Sequence, residues 1–330
     1  MADESILPLR RIVTGYDENG RACITMDGEP PRRNVRPGGT VSSLIWGSEE
    51  CPAEVWTDED FGDRENIIEP GPNGSWFRIV DFPPGAPGRM HRTETIDYAI
   101  CMQGECDMEM DDGLTITVRA GDILVQLATN HSWINRGTET CRIAFALIDS
   151  KEPADERRIG PGAQPLAPLA PIDGEPPLPP VRRIVTTHDE NGKAIVMHDG
   201  PAPQRVKRAR GNISTMIWGT DETPAEVWSA EDVGLRDNEI EPPPRGSWCR
   251  VIDYPAGLPG RMHRTDTVDY VICLNGEIDM ELDDGNEVHM KAGDVMIQQA
   301  TNHSWINRSS ETCRIVFVLL DAKKRPGNRP

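Results

Sequence analysis

The chain contains two copies of one sequence pattern, and this repeat limits its architecture more than any other feature. The stretch 89–149 recurs as 261–321, with every matched position shifted by the same 172 residues (261 − 89). The match extends outward, since 10–20 corresponds to 182–192 at the same offset. About 140 residues are therefore duplicated, which is one ordinary domain length and far above the period of solenoid repeats. We expect two domains of one fold.

The segment between the copies is predicted to be a linker. Its sequence, KEPADERRIGPGAQPLAPLAPIDGEPPLPP, is rich in proline and of low complexity. Such sequence cannot form a packed core and behaves as a semi-stiff extended spacer. The predicted organisation is therefore a first domain over 8–150, a linker over 151–180 and a second domain over 181–324.

Each copy has the pattern of short strands and turns that is typical of a β-protein. Short apolar or alternating runs such as WFRIVDF and CRIAFALID recur between turn signals rich in glycine, proline and aspartate. The sequence DDG at 111–113 is typical of a hairpin turn. Only the stretch 57–66 suggests a short helix. Evenly spaced short strands with glycine corners predict an all-β fold, a sandwich or a barrel.

Charge and hydropathy exclude several classes of partner. The formal net charge of −19 argues against nucleic acid and against anionic membrane surfaces. The basic run RVKRAR at 205–210 is the local exception, and we interpret it as a solvated loop. No apolar stretch approaches the roughly 20 residues that span a bilayer. The first residues show no secretory signal pattern, so a cytoplasmic protein is expected.

A strand with one polar face carries the candidate chemistry. Alternation places His91, Thr93, Thr95 and Asp97 on the same face, and His131 shares a face with a tryptophan after the next glycine turn. Polar groups on the inward face of a small barrel are costly unless they bind something or satisfy one another through hydrogen bonds. Both interpretations, a ligand site and a metal-free hydrogen-bonded pocket, remain open at this point.

Two ordered motifs occur in each copy. The first copy reads PGRMHRTETID at 87–97, then six residues before Gly104, and then GDILVQLATNHSWIN at 121–135. These stretches resemble the two conserved motifs of the cupin superfamily, and the chain looks like a bicupin. It departs from the family pattern in three ways. Threonine replaces the second histidine, aspartate replaces the glutamate, and the second motif is one residue short and lacks its proline.

The resemblance implies two tandem cupin (jelly-roll) barrels and a metal site in each. The ligands that it implies are His91, Asp97 and His131 in the first barrel and His263, Asp269 and His303 in the second. Two imidazoles and one carboxylate are the ligand set of many non-haem Fe(II) oxygenases. Fe(II) is therefore the favoured cofactor, with Mn, Ni or Zn as alternatives. Because threonine replaces one of the family's ligands, a pocket without a metal is the other interpretation.

The function implied is that of a metal-dependent enzyme acting on a small organic molecule, with a dioxygenase-type reaction first. Non-redox chemistry on the same site (a lyase, isomerase or cyclase) is the runner-up, and a non-catalytic ligand-binding protein is the third possibility. Arginines that flank the site histidines are candidates to orient an anionic group of the substrate or, alternatively, to form surface ion pairs: Arg89, Arg92, Arg261 and Arg264. We also expect the repeats to pack as an intramolecular pseudo-dimer, and homo-oligomers are possible.

Overall fold

The computed structural model describes residues 7–55, 57, 59–65, 68–153, 160–174, 176–237 and 239–324. Throughout these ranges the regular structure consists of β-strands and single 3₁₀ turns, without an α-helix. Within the same ranges no helix is long and apolar enough to cross a membrane. The all-β prediction is confirmed.

The first repeat forms eleven strands. Their bounds follow the apolar and alternating runs of the sequence, since Val41–Ser48 and Ser75–Phe82 are buried along their whole length. In chain order the strands are β1 (Arg11–Tyr16), β2 (Ala22–Gly28), β3 (Asn34–Val35), β4 (Val41–Ser48), β5 (Ser75–Phe82), β6 (Thr95–Gln103), β7 (Glu105–Glu109), β8 (Thr115–Arg119), β9 (Ile123–Leu127), β10 (Ser132–Ile134) and β11 (Cys141–Asp149).

The second repeat forms eleven strands in the same order. They are β12 (Arg182–His188), β13 (Ala194–Pro201), β14 (Arg205–Lys207), β15 (Ile213–Thr220), β16 (Ser247–Tyr254), β17 (Thr267–Asn275), β18 (Glu277–Glu281), β19 (Glu287–Lys291), β20 (Val295–Gln299), β21 (Ser304–Ile306) and β22 (Cys313–Asp321). The 3₁₀ turns are Phe61–Asp63, Asp111–Gly113, Val233–Leu235 and Asp283–Gly285.

Two sequence predictions about turns can be compared with these bounds. The DDG sequence does close a hairpin between β7 and β8, and Asp112 takes a left-handed conformation with φ of 58°. Asparagine and aspartate tolerate this region better than most residues with a Cβ atom. The short helix suggested within 57–66 is a single 3₁₀ turn at Phe61–Asp63, while residues 58 and 66 of that stretch lie outside the described residues.

Each barrel consists of one large and one small sheet. The strand orders are β13-β12-β9-β6-β11-β5-β4-β3 with β10-β7-β8, and β14-β15-β16-β22-β17-β20-β1-β2 with β19-β18-β21. The first hairpin of each repeat therefore lies in the large sheet of the other repeat. Strand β1 pairs in parallel with β20, and β12 pairs in parallel with β9. The sheets thus cross the sequence boundaries that were predicted for the two domains.

The large sheets also contact each other through their outer faces. Phe77 of β5 stacks on Tyr270 of β17 with ring centroids 4.9 Å apart. The Tyr270 hydroxyl lies 2.8 Å from the Ser75 hydroxyl, and Tyr98 makes the reciprocal contact with Ser247 at 3.3 Å. Both tyrosines are fully buried. A stacked aromatic pair contributes about 0.5–1.5 kcal/mol beyond its buried area, so this face holds the repeats together.

Buried arginine–aspartate pairs fasten the segments that precede each repeat. Arg142 forms two bonds to Asp81, at 2.6 and 2.8 Å, through Nε and Nη2. Its Nη1 atom donates to the carbonyl of Pro8, and Nη2 also donates to the carbonyl of Leu7. The planar guanidinium matches a carboxylate in this two-bond geometry. The second repeat has the same arrangement in a different place, since Arg314 binds Asp253 and the carbonyl of Pro179.

The basic run at 205–210 is not a solvated loop throughout, so that interpretation was wrong in part. Arg205–Lys207 is strand β14, which pairs with β15, and Arg205 is buried. The run then turns at Gly211, leaving Arg208 half-buried and Arg210 exposed.

The described part of the linker has no strand, but it lies along β13, where the backbone N–H of Gln164 donates to the carbonyl of Met197.

Candidate functional site

The site in each barrel lies on the inner faces of the large sheet. Asp97 of β6 is the cross-strand partner of Gln126 on β9 and of Leu147 on β11, and Leu147 in turn pairs with Trp76 on β5. Residues paired directly across a sheet point to the same side. Asp97, Gln126 and Trp76 therefore share the face opposite to the one that contacts the other repeat.

Two histidines face each other at the start of this surface. His91 and His131 exchange backbone hydrogen bonds of 2.9 Å, and their ring centroids are 4.3 Å apart. The Nδ1 atom of His91 lies 2.8 Å from the Arg89 carbonyl, and that of His131 lies 3.0 Å from the Thr129 carbonyl. Because a carbonyl can only accept, the ring hydrogen of His91 lies on Nδ1. His131 Nδ1 faces both the Thr129 carbonyl, an acceptor, and the Gln126 amide, a donor, so it bonds to one of them at a time. The second repeat has the same geometry, with the rings of His263 and His303 4.2 Å apart.

Burial keeps the inner histidines neutral. Loss of solvent, followed by the charge of His91, lowers the pKa of His131 to about 3. Burial and the charge of His263 do the same to His303. Burial disfavours the charged form of an imidazole, so both side chains are neutral hydrogen-bonding groups over the whole neutral range.

Asp97 is held by two threonines. Thr95 Oγ1 lies 2.5 Å from Asp97 Oδ1 and 2.8 Å from Thr93 Oγ1, which in turn lies 3.5 Å from Asp97 Oδ2. Thr95 has only one hydroxyl hydrogen, so it cannot donate in both directions. If the Asp97 carboxyl carries a proton, it donates to Thr95, which then donates to Thr93. Burial raises the pKa of Asp97 to about 7, which agrees with this arrangement.

Gln126 connects the aspartate to the histidine. Its Nε2 atom lies 3.4 Å from Asp97 Oδ2 and 2.9 Å from His131 Nδ1. In the second repeat the Gln298 amide lies 3.1 Å from Asp269 and 3.4 Å from His303 Nε2. The amide of this glutamine thus contacts side chains in both repeats. It completes a side-chain network, threonine–threonine–aspartate–glutamine–histidine, that both repeats contain.

Comparison with known proteins identifies the family. Residues 250–319 match the family described as "Cupin domain". Over 156 residues the chain is 35% identical to "Phomopsin biosynthesis cluster protein C'" of Diaporthe leptostromiformis, covering 45% of this chain and 82% of that protein. The chain belongs to the cupin family. This cupin is also 34% identical over 149 residues to "Cupin-domain-containing oxidoreductase fogC" of Aspergillus ruber, covering 43% of this chain and 73% of that protein.

Solved structures show a weaker likeness to this cupin. "Cupin 2 conserved barrel domain protein from Leptotrichia buccalis" aligns over 89% of this chain and 98% of its own, with 11% identity and a TM-score of 0.45. The predicted fold class, two tandem cupin barrels, is confirmed by the family match together with the two sets of strands described above.

The predicted metal ligands are linked in this cupin without forming a three-residue cluster. Among the described residues, no three histidine, cysteine, aspartate or glutamate side chains lie together in a way that could hold a metal ion. His91 and His131 are adjacent, but Asp97 reaches His131 only through Gln126, and its oxygens already contact threonine hydroxyls. In this arrangement the residues do not fit a His/Asp/His metal site. Metal binding stays a prediction.

The arginines predicted to orient a substrate differ in burial, since Arg264 is buried and Arg92 is half-buried. Arg89 and Arg261 have exposed side chains, although their backbone carbonyls accept from the Nδ1 atoms of the site histidines. Arg92 pairs with Glu94 at 2.7 Å, as the ion-pair alternative expects, and Arg264 lies 3.8 Å from Asp266. Their role in substrate binding also stays a prediction.

Sequence reasoning missed one arginine in each barrel. Arg78 of β5 and Arg250 of β16 are buried side chains, and cross-strand pairing puts them beside Phe145 and Phe317 on the inner face. Burial lowers the pKa of each to about 10, while Asp97 and Asp269 act in the opposite direction. A signal was present in the sequence: an arginine occupies the middle of the same apolar run, WFRIVDF and WCRVIDY, in both copies.

Aromatic rings form one wall of each site. Trp133 meets His131 edge to face, with centroids 6.4 Å apart, and meets Phe145 at 5.5 Å. Trp305 has the same contacts with His303 at 6.3 Å and with Phe317 at 5.7 Å. The sequence placed His131 on the same face as Trp133, and the two rings do contact each other. Flat apolar walls beside a few polar groups are typical of small-molecule sites.

The exchanged strands complete the sites unequally. Thr186 of β12 bonds to Thr129 at 2.9 Å, and farther along the same strand the buried His188 stacks on Trp228 with centroids 4.7 Å apart. In the second barrel Tyr16 takes the place of His188, and its hydroxyl donates to the carbonyl of Ala300. Burial, followed by the charge of Arg92, lowers the pKa of His188 to about 4.

Proposed function

We propose that each barrel of this cupin is an enzyme site that moves a proton within a small organic molecule, so that the reaction is an isomerisation next to a carbonyl group. The observation that carries the proposal is the hydrogen-bonded chain from Thr93 through Thr95, Asp97 and Gln126 to His131, which the second repeat contains as well. In each barrel two threonine hydroxyls and one glutamine amide form the chain around one buried carboxyl.

Asp97 is the proposed acid and base. Its pKa of about 7 is matched to neutral pH, where a general acid–base group is most effective. In the forward step the carboxylate takes a proton from a carbon next to the substrate carbonyl, and in the return step it gives the proton to another atom of the same molecule. The substrate is neither oxidised nor reduced, so no co-reactant is required.

The histidines and tryptophan are proposed to orient the substrate. With the hydrogen of His91 on Nδ1, its Nε2 atom accepts a hydrogen bond from a substrate hydroxyl. The ring of Trp133 provides an apolar wall against which a flat conjugated molecule packs. Thr93 and Thr95 adjust as Asp97 gains or loses its proton, because a hydroxyl can reverse its direction of donation.

Solvent-deuterium incorporation tests the proposal. The full chain, treated with a chelator, is incubated in D₂O with a panel of β-dicarbonyl and phenolic compounds, and exchange at carbon is followed by NMR. We expect exchange with the chelated protein, loss of exchange in Asp97→Asn plus Asp269→Asn, and retention in the surface control Asp107→Asn. Exchange that disappears on chelation and returns with Fe(II) would contradict the proposal and favour the second candidate.

The second candidate is the metal-dependent enzyme that the sequence predicts, with a dioxygenase-type reaction. One observation supports it: both histidines of a barrel bond through Nδ1 to backbone carbonyls, which is how metal-binding histidines are commonly oriented. The naming of the Aspergillus ruber relative as an oxidoreductase points the same way. The ligands that the sequence predicts are His91, Asp97, His131 and His263, Asp269, His303, and each aspartate would have to leave its threonine partner to join the histidines. A metal held there would supply oxygen activation or Lewis acidity.

Metal analysis separates the candidates. The native chain and the double variant His91→Ala plus His263→Ala are each loaded with Fe, Mn, Ni or Zn and then dialysed. Stoichiometric metal in the native chain alone, together with oxygen uptake on phenolic substrates, would establish the second candidate. A ligand that co-purifies with the chain without any turnover would instead favour the non-catalytic binding protein.

A further inference from the structure

Arg250 is a buried cation with no carboxylate beside it. It is 4% exposed, and its one recorded hydrogen bond goes to the backbone carbonyl of Glu239. In the described part of the chain no carboxylate oxygen lies within ion-pair distance of Arg250, and its Nε atom has no partner. The buried Arg183 and the half-buried Arg314 differ, since each forms two bonds to an aspartate.

This difference matters because burying an unpaired charge is costly. A buried charge is normally compensated by an ion pair or by several hydrogen bonds. The acid whose charge acts on Arg250 from inside the barrel is Asp269, but within the described residues these two side chains form no ion pair. The guanidinium of Arg250 therefore lacks the paired anion that a buried positive charge normally requires.

Further arginines surround the same barrel. The charge of Arg208 acts on Arg250, and the charges of Arg210 and Arg261 act on the site histidine His263. Arg210 also donates to the carbonyl of Pro259, close before that histidine in sequence. In a chain with a formal net charge of −19 this local excess of positive charge attracts anions, and low-dielectric walls strengthen the effect. The basic run at 205–210 thus has a place in the site.

The two barrels differ in this positive charge. Arg78 of the first barrel corresponds to Arg250, and the charge of Arg36 acts on Arg78 as that of Arg208 acts on Arg250. The repeat offset places Gly38 at the position of Arg210, however, so the first barrel lacks this arginine. Because Gly38 is part of the same fold in the first repeat, Arg210→Gly is a substitution that the architecture already accommodates.

We propose that each barrel binds the carboxylate of an aromatic or conjugated acid on its inner arginine, Arg250 or Arg78, and that Arg210 makes the second barrel the tighter site. The planar guanidinium matches a carboxylate in a two-bond geometry. The phenyl ring of Phe317, beside Arg250, and the indole of Trp305 provide the apolar wall for the rest of the molecule. The inference rests on the proposed function in taking this surface as the substrate site, and it adds the substrate class.

Binding of benzoate to the full chain tests the inference, with benzamide as the neutral probe of the same shape. Calorimetric titration should give two benzoate sites of unequal affinity and much weaker binding of benzamide. Arg210→Gly should weaken the stronger site about fivefold, as expected for removal of one nearby charge at the protein surface. Arg250→Met should weaken the stronger site by tenfold or more, and Arg78→Met the weaker one, because each removes a charged hydrogen-bonding partner.

Two results would overturn the inference: equal binding of benzamide and benzoate, or benzoate binding that neither Arg250→Met nor Arg210→Gly alters. Arg210 is exposed, so its variant keeps the test valid even where replacement of the buried Arg250 prevents folding. The outcome is separate from that of the deuterium experiment. Benzoate bound as expected in a chain that exchanges no proton would support the anion site and contradict the proposed reaction.

Discussion

Replacing Asp97 by asparagine should remove a pH dependence from the stability of the folded chain. Burial raises the pKa of Asp97 to about 7 from an ordinary value of 3.8. A group with a raised pKa binds its proton more tightly in the folded state. Its contribution to stability is therefore complete below pH 3.8 and is lost as the pH rises through 7. Asparagine has the shape of the protonated carboxyl and does not titrate.

The magnitude follows from the two pKa values. Each pH unit over which the folded chain holds a proton that the unfolded chain has released changes the free energy of unfolding by about 1.4 kcal/mol. Between about pH 5.5 and pH 7.5 Asp97 is protonated for roughly 1.4 of the 2 units, so its contribution falls by about 2 kcal/mol. The range avoids the region near the isoelectric point of 4.8, where association of chains would interfere.

Urea unfolding at several pH values measures the effect as a difference between wild type and variant. Asp97→Asn should gain about 2 kcal/mol relative to wild type across this range. The control is Asp107→Asn, because hydrogen bonds from Thr117 and Arg136 outweigh burial and lower the pKa of Asp107. Its difference from wild type should be constant. A constant difference for Asp97→Asn as well would refute the account of a buried, protonatable carboxyl.

Three further outcomes are expected. His131→Asn should show the opposite sign, because the pKa of His131 is lowered to about 3. The contribution of His131 to stability is therefore present above pH 6.5 and is lost on acidification. In the same urea series the variant should lose about 1.4 kcal/mol relative to wild type as the pH rises from about 5.5 to 7.5. Thr95→Val removes a hydroxyl partner of Asp97 and should destabilise the chain by about 1–3 kcal/mol in urea at pH 6, whereas Thr115→Val at an exposed position should be neutral. Tyr270→Phe leaves the buried Ser75 hydroxyl without its partner between the repeats and should cost about 1 kcal/mol in thermal or urea unfolding; a neutral result would mean that this contact does not hold the sheets together.

Much of the fold could be predicted because its determinants are local or repeated. Alternation along β6 placed Thr93, Thr95 and Asp97 on one face, and these residues do contact one another. The DDG hairpin turn followed from turn chemistry. Because the sequence is duplicated, each strand and turn could be predicted from both copies, and the two predictions could be compared.

The exchange of hairpins could not be predicted in this way. Arg11 pairs with Val295 and Ile12 with Met296, and nothing in the local sequence of β1 distinguishes these partners from the equivalent residues of its own repeat. Both choices satisfy the same hydrophobic pattern. The geometry of the connections decides between them, and that is a property of the whole chain.

The sequence predicted which residues belong to the candidate site better than it predicted how they contact one another. The two histidines do lie together, yet the link from Asp97 to His131 depends on the rotamer of Gln126, which spacing does not reveal. Arg250 was overlooked because an arginine inside an apolar strand is usually paired, whereas in the structure no carboxylate of the described residues forms an ion pair with it.

The exchanged hairpins make the two barrels depend on each other for their folding. Strand β12 covers the edge of β9 in the first barrel, and β1 covers the edge of β20 in the second. If one repeat unfolds, it withdraws its hairpin and leaves the other barrel with an open sheet edge, which is a template for aggregation. A single repeat expressed alone would keep a hairpin without a sheet to join and would have to find it on another molecule. In the full chain the linker holds the two repeats together in a one-to-one ratio, so each hairpin finds its partner sheet within the same molecule.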